Sequence, residues 1–447
     1  MDAAESVKKR VPLPRAVAAG GPSAPAANPG KVIPGLGKPS QAPGDWPQFR
    51  GANRDNIAPG ASPAAAIGPI NPMGRIGRSW PKEGPKVLWR VAVGEGFAAA
   101  AVHQSRVYVV DYDREKEEDA IRCLSLDDGA EIWRYTYSAS IKRNHGMSRT
   151  IPAVTDRFVV SLGPKCNVRC LDAVSGALVW KKDLVEECET VVPPWYAGQC
   201  PLLDGDRVIL APAAKPLMMA VELATGREMW RTKENEGAGM THTSITPMTF
   251  HGRKQFIYSA QTTIFGVDGE NGNILWSYPQ WKKALAYVPS PLAVGEDRVF
   301  LTFGYGAGSV MLRLKEEGGA ITAEEVFRLA PQVFGCDQQT PILYENHIYG
   351  VRGKEEMVCL DLDGAVKWAS KGQKFGLGPY MIADGLLLAL NDADGTLLMA
   401  EASPAQYKEL ARAKLLKNQE AWGPMAIAGG RLILRDVAEM ICVDVGQ

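Results

Sequence analysis

The stretch Cys170-Leu171-Asp172-Ala173-Val174-Ser175-Gly176-Ala177-Leu178-Val179-Trp180 decides how this chain reads. It predicts a short strand, a tight turn and a returning strand. Asp172 is placed to bond the turn's own backbone, Gly176 to take a positive φ, and Trp180 to sit on the returning strand. The arrangement recurs: Gly129 precedes Trp133 by four residues, Gly226 precedes Trp230, Gly272 precedes Trp276 and Gly364 precedes Trp368. An acidic residue stands in or just before each turn: Asp127, Asp172, Glu222, Asp268 and Asp361. Tryptophan buries a wide flat surface and has one N–H to satisfy. One Trp per unit, at a constant strand position, therefore predicts a packing contact repeated from unit to unit.

The repeat length sets the architecture. Trp133 to Trp180 is 47 residues, Trp180 to Trp230 is 50 and Trp230 to Trp276 is 46; Phe327 stands 51 further on, where a Trp is due, and Trp368 follows after 41. A strand-rich period of about 45 predicts the four-stranded blades of a propeller. Each unit opens with a Pro near the start of an apolar run that ends in a two-residue turn. Pro152, Pro201, Pro247, Pro291, Pro341, Pro379 and Pro424 mark seven units, and a Pro-less start near Ala99 makes the eighth. The last unit ends at Val443-Asp444-Val445 without an outer strand, while Val87-Leu88-Trp89-Arg90 has no inner strands before it. The expectation is an all-β, eight-bladed propeller over 84–447, with this N-terminal strand completing the last blade and removing the free sheet edges.

These features resemble the PQQ-like repeat family, which includes quinoprotein alcohol dehydrogenases and the BamB-type outer-membrane assembly lipoproteins. The resemblance spans the repeats of 84–447. Asp45-Trp46-Pro47-Gln48-Phe49-Arg50-Gly51, followed by Asn53-Arg54-Asp55, also resembles the N-terminal segment of exported bacterial members. It implies a periplasmic or otherwise exported protein.

Composition narrows the classes. The chain has 447 residues, 50 basic and 50 acidic. A neutral balance argues against nucleic acid, which calls for a basic face. No apolar run approaches the roughly 20 residues of a membrane span. A single monomeric ring is expected. Residues 1–44, rich in Pro, Ala, Gly and Ser, read as a disordered tail. Lys8-Lys9-Arg10 imitates a signal-peptide start, but Pro12 and Pro14 interrupt the stretch from Val11 to Ala19, and no export signal is visible. Residues 45–83 read as a segment capping the ring, with a plug over the central funnel as its functional alternative.

Of eight Cys, Cys123 and Cys170 stand six residues before a turn Gly, where Ala220 and Gly266 stand in the next two units. Cys359 and Cys442 occupy the matching stretches. That position calls for a small residue, and buried Cys serves as one. Cys188 and Cys200 flank a Pro-Pro-Trp-Tyr loop and are candidates for a disulfide.

In a four-stranded meander both kinds of tight turn fall on one face of the disk. The other face takes the long connections, 136–148, 181–199 and 231–243 among them, and with the central funnel it is the expected functional surface. Residues leading into the innermost strands should ring the funnel: Phe97, Asn144, His145, Arg149, Trp195, Tyr196, Thr241, His242, Tyr287, Asp337, Gln338, Phe375, Tyr380 and Trp422. A polar, water-filled channel accounts for this set, and a small-molecule or peptide site is the functional alternative. A metal site of His145, His242 and Asp337 lacks a local motif.

Two functions remain. The first is a non-catalytic binding or scaffold propeller acting on a protein or small ligand. The second, implied by the resemblance, is a dehydrogenase using PQQ with calcium. The resembling enzymes hold PQQ against a disulfide of adjacent cysteines and bind calcium through Glu, Asn and Asp, with a catalytic Asp. No two Cys are adjacent here and no haem CxxCH occurs; Asp337 is the one candidate base. Binding without cofactor is the favoured reading.

Overall fold

A computed structural model describes residues 30–58, 74–233, 238–353, 356–417 and 420–447. They form eight antiparallel sheets arranged as the blades of a propeller. Blades 1 to 7 are built on 101–138, 153–183, 202–231, 246–279, 292–329, 342–369 and 380–414. Blade 8 combines 426–444 with Lys86–Ala92, which pairs antiparallel with Glu439–Asp444 as its outer strand. The first strands of neighbouring blades touch around the axis. One short helix, Leu184–Cys188, is capped at its start by Asp183. Among the described residues no helix is long and apolar enough to cross a membrane.

The turn chemistry has the expected physical basis. Asp172 Oδ1 accepts from the N–H groups of Val174 and Ser175, and Asp268 Oδ1 from those of Glu270 and Asn271. Gly176 has φ 72° and Gly272 has φ 75°, a conformation that costs an L side chain strain. Blade 1 is the variant: Ser125 and Asp128 bond the turn, and Asp127 instead meets Arg431 of blade 8 at 2.5 Å.

All but one of the repeated Trp side chains dock on the turn of the following blade. A Cβ added to Gly176 would meet Trp133, and one on Gly272 would meet Trp230; Phe327 takes the same place against Gly364. The indole N–H groups of Trp89, Trp180 and Trp368 donate to the carbonyls of Leu126, Leu223 and Ser403 on the neighbouring blade. Blade 5 replaces the tight turn with a long hairpin of Gly308–Glu317 and Ala320–Leu329. Trp276 of blade 4 turns back and donates to Gln255 Oε1 of its own blade.

The small-residue position is the cross-strand partner of the Trp. Cys123 faces Trp133, Cys170 faces Trp180, Ala220 faces Trp230, Gly266 faces Trp276, Cys359 faces Trp368 and Cys442 faces Trp89. Where the aromatic is missing the opposite residue grows: Met399 faces Ala411 in blade 7. Summed volume across the pair is what a close-packed interior constrains. All eight cysteines are buried and unpaired. The Cys188–Cys200 disulfide does not form: Cys188 packs on Met219, and Cys200 accepts from the N–H of Ile151.

The N-terminal segment departs from expectation. Lys31–Pro34, within the stretch read as a disordered tail, is a strand on the outer edge of blade 1, paired with Trp133 to Thr136. An exposed edge offers unpaired backbone groups that even a Pro-rich segment can satisfy. Gly35, Gly37 and Ser40 continue the attachment through backbone bonds to Ile132, Glu131 and Ser105. Residues 1–29 lie outside the described residues.

Residues 45–58 enter the axis of the ring, as in the plug that the sequence offered as the alternative to a cap. Trp46 exchanges backbone bonds with Val102 of blade 1, and Ile57–Ala58 runs parallel to Tyr380–Ala383 of blade 7. Between them the chain folds back at Arg50, Gly51 and Arg54, all at positive φ. The loop is inserted from the tight-turn face, where His103 holds Asp45 on one side at 3.0 Å and Asp156 of blade 2 on the other at 2.7 Å.

Candidate functional site

The innermost strand of every blade is a sheet edge, so its outward carbonyls need donors. The repeated Pro removes a donor and leaves an acceptor there. The axial loop answers this pattern. Arg50 donates to the carbonyls of Thr340 and Pro341, and Arg54 to those of Pro201 and Ile245. Asn56 donates to Tyr380 O, and Pro47 O accepts from Val154 N. Burial lowers both guanidinium pKa values to about 10. Neither arginine forms an ion pair among the described residues.

The loop turns the channel into a blind cup on the long-connection face. The cup encloses about 360 Å³, with Phe49, Arg50 and Asn56 in its floor. Phe97 and Trp422 form one wall, their rings stacked with centroids 4.5 Å apart. Trp422 is oriented by its indole N–H on Asp392 Oδ2 at 2.8 Å. Arg149 lies over Phe97, its Cζ 5.2 Å from the ring centre. Nε of Arg149 donates to Trp195 O and Nη2 to the carbonyls of Asn144 and His145. Its Nη1 makes no hydrogen bond among the described residues. Burial lowers its pKa to about 10, which still leaves it charged at neutral pH.

His242 faces Trp195 across the cup, ring centroids 6.2 Å apart. Gly198 makes room for it: a Cβ there would stand 2.5 Å from Cδ2 of the imidazole. Burial, followed by the charge of Arg149, pushes the pKa of His242 down to about 4. The ring is therefore neutral at pH 7, and its Nε2 is buried with no hydrogen-bond partner among the described residues. Gln338, held by Tyr305 OH at 3.3 Å, and Tyr380 complete the polar lining. Among the described residues, no Asp or Glu lines the cup.

The structure brings together Phe97, His145, Arg149, Trp195, His242, Gln338, Tyr380 and Trp422 from the expected ring. It does not bring in Tyr196, Tyr287 or Asp337. Tyr196 donates to Lys142 O on the surface. Tyr287 packs edge-on against Phe303 and bonds Lys282 O. Asp337 is buried and accepts from Tyr305 N at 2.9 Å, holding a loop rather than facing the cup. Asn144, Thr241 and Phe375 are likewise outside the lining. Asp337 does not join His145 and His242 in the lining, and no group of three potential metal-ligating side chains occurs among the described residues. Sequence reasoning missed the floor residues, together with Leu285, Tyr305 and Gln339. The one available signal was the pair Arg50 and Arg54 in an aromatic-rich, non-repeating stretch.

The family described as outer membrane protein assembly factor BamB matches residues 117–370, more than half of the chain. The chain belongs to this PQQ-like, BamB-type propeller family. Similar solved structures include BamB from Moraxella catarrhalis, at 13% identity and TM-score 0.56, covering 80% of this chain and 99% of that one. A europium-containing methanol dehydrogenase gives 13% identity and TM-score 0.57, covering 89% and 91%. A quinohemoprotein alcohol dehydrogenase from Pseudomonas putida gives 12% and 0.56, covering 91% and 81%. At such identities the likeness shows the fold alone. No curated protein sequence matches.

The donor set of the cup does not suit calcium-assisted quinone chemistry. Calcium takes hard oxygen ligands, carboxylates above all, and the described lining residues contribute no carboxylate. The wall opposite Trp422 holds no pair of cysteines, and every Cys is unpaired.

Proposed function

We propose that this propeller is a non-catalytic binding protein whose cup receives a small anionic molecule with a flat apolar body. The observation that carries this reading is the charged, half-satisfied Arg149 beside the Phe97–Trp422 stack, in a cavity with no carboxylate among its described lining residues. A guanidinium edge with free N–H groups recognises carboxylate or phosphate. The aromatic wall supplies area at little entropic cost. The long-loop rim is a docking surface for a protein, which the BamB-type family supports, as it supports an exported, periplasmic setting.

The test is native mass spectrometry of the purified protein, together with titration of PQQ and calcium and dye-reduction assays across alcohols and sugars. Retention of a small anion, lost in Arg149→Gln, is the expected result. Steady calcium-dependent turnover of an alcohol or sugar would overturn the reading in favour of a dehydrogenase.

A further inference from the structure

The axial loop behaves as a bound peptide. Its contacts run from residues 46–57 to six of the eight blades: Val102, Val154, Pro201, Ile245, Thr340 with Pro341, and Tyr380 with Ile382. On the blade side, the partners in these bonds are all backbone groups. The channel supplies fixed acceptors, and the loop supplies planar donors. Arg50 uses Nε, Nη1 and Nη2 together, on Arg54 O and Asp55 O of the loop as well as on blade 6. Arg54 splits its two terminal nitrogens between blades 3 and 4. This is a forked geometry that an ammonium cannot reproduce.

We propose that the axial channel is a peptide acceptor for an extended segment bearing two arginines four residues apart, and that residues 45–58 are its tethered occupant, replaceable by the same segment supplied in trans. Tethering gives the chain's own segment a high effective concentration. The channel is therefore filled in the isolated protein, and a competing segment of this chemistry gains access once the resident arginines are removed. The ligand class is distinct from the anion of the cup, because the channel presents carbonyl oxygens and selects cations of guanidinium shape.

The test uses the full chain carrying Arg50→Ala and Arg54→Ala, and a fluorescent peptide of residues 45–58 read by anisotropy. Saturable binding to the double variant is expected, with a loss of about ten-fold or more when either peptide arginine becomes Lys, the equivalent of one or more buried hydrogen bonds. Wild-type chain should bind the peptide more weakly than the double variant does. No binding to a double variant that keeps its far-ultraviolet spectrum would overturn the proposal, as would equal binding of the lysine peptide. Should the double variant be destabilised, a rise of its melting temperature with added arginine peptide supports the acceptor, and no rise with either peptide overturns it.

Discussion

The indole of Trp180 fills the space in which Gly226 would carry a side chain: a Cβ at Gly226 would stand 2.7 Å from Trp180 Cδ2. The two residues lie on adjacent blades, and the same indole donates to Leu223 O beside that turn at 2.8 Å. One side chain thus joins two blades by packing and by a hydrogen bond.

Truncating this contact should be costly. Trp180→Ala and Trp230→Ala are each expected to destabilise by about 3–5 kcal/mol, the range for a buried aromatic. Gly226→Ala should cost about 1–3 kcal/mol from the positive φ together with the clash. Urea midpoints check both; an unchanged midpoint for Trp180→Ala would remove the docking role.

The pairing of size across the blade makes a second prediction. A Cβ on Gly266 would lie 2.0 Å from Trp276 Nε1, because that indole turns inward to Gln255. Gly266→Ala should destabilise by about 1–3 kcal/mol through overpacking. Cys170→Ala, which only removes a thiol, should cost less in the same thermal melt.

Ring closure is testable by truncation. Deleting 1–90 removes most of Lys86–Ala92 and leaves Glu439–Asp444 as an open edge. The expected result is association visible by light scattering. A shortened chain that stays monomeric and equally stable would contradict closure by this strand.

The base of the axial loop should respond to pH. Burial opposes the charge on His103, but the hydrogen bonds and charges of Asp45 and Asp156 prevail and raise its pKa above 6.5. Asp45 sits below 3.8, first through its hydrogen bond with His103. A raised folded pKa contributes its stability fully below 6.5 and loses it as pH climbs through the folded value. The lowered Asp45 contributes above 3.8 and loses its share as pH falls further. His103→Gln should therefore lower the melting temperature most near about pH 5.5 and least above about pH 8.5. An equal loss at both would refute the linkage.

The ring was legible because it is periodic. Trp spacing, the turn Gly and the opening Pro each repeat, so chance agreement at one site is corrected at the next. The cup was partly legible for the same reason: residues leading into inner strands, such as Arg149 and His242, must lie near the axis. Which of them face inward depends on loop geometry, and so Tyr196 and Asp337 turned elsewhere. The floor was legible only as a plug alternative for the whole segment, not residue by residue. Phe49, Arg50 and Asn56 belong to a segment that occurs once, and their partners lie up to 324 residues away. Backbone carbonyls, which every residue possesses, leave no mark in a sequence.

The thiols opposite the tryptophans have a practical consequence. They act as spacers sized to an indole, and burial pushes Cys123, Cys170 and Cys442 up to about 12, far from the reactive thiolate. Maturation of this ring thus needs no oxidant and no shuffling of sulfur bridges. Refolding yield should be indifferent to dithiothreitol, and a cell with a reducing interior should produce the same molecule as an oxidising compartment does.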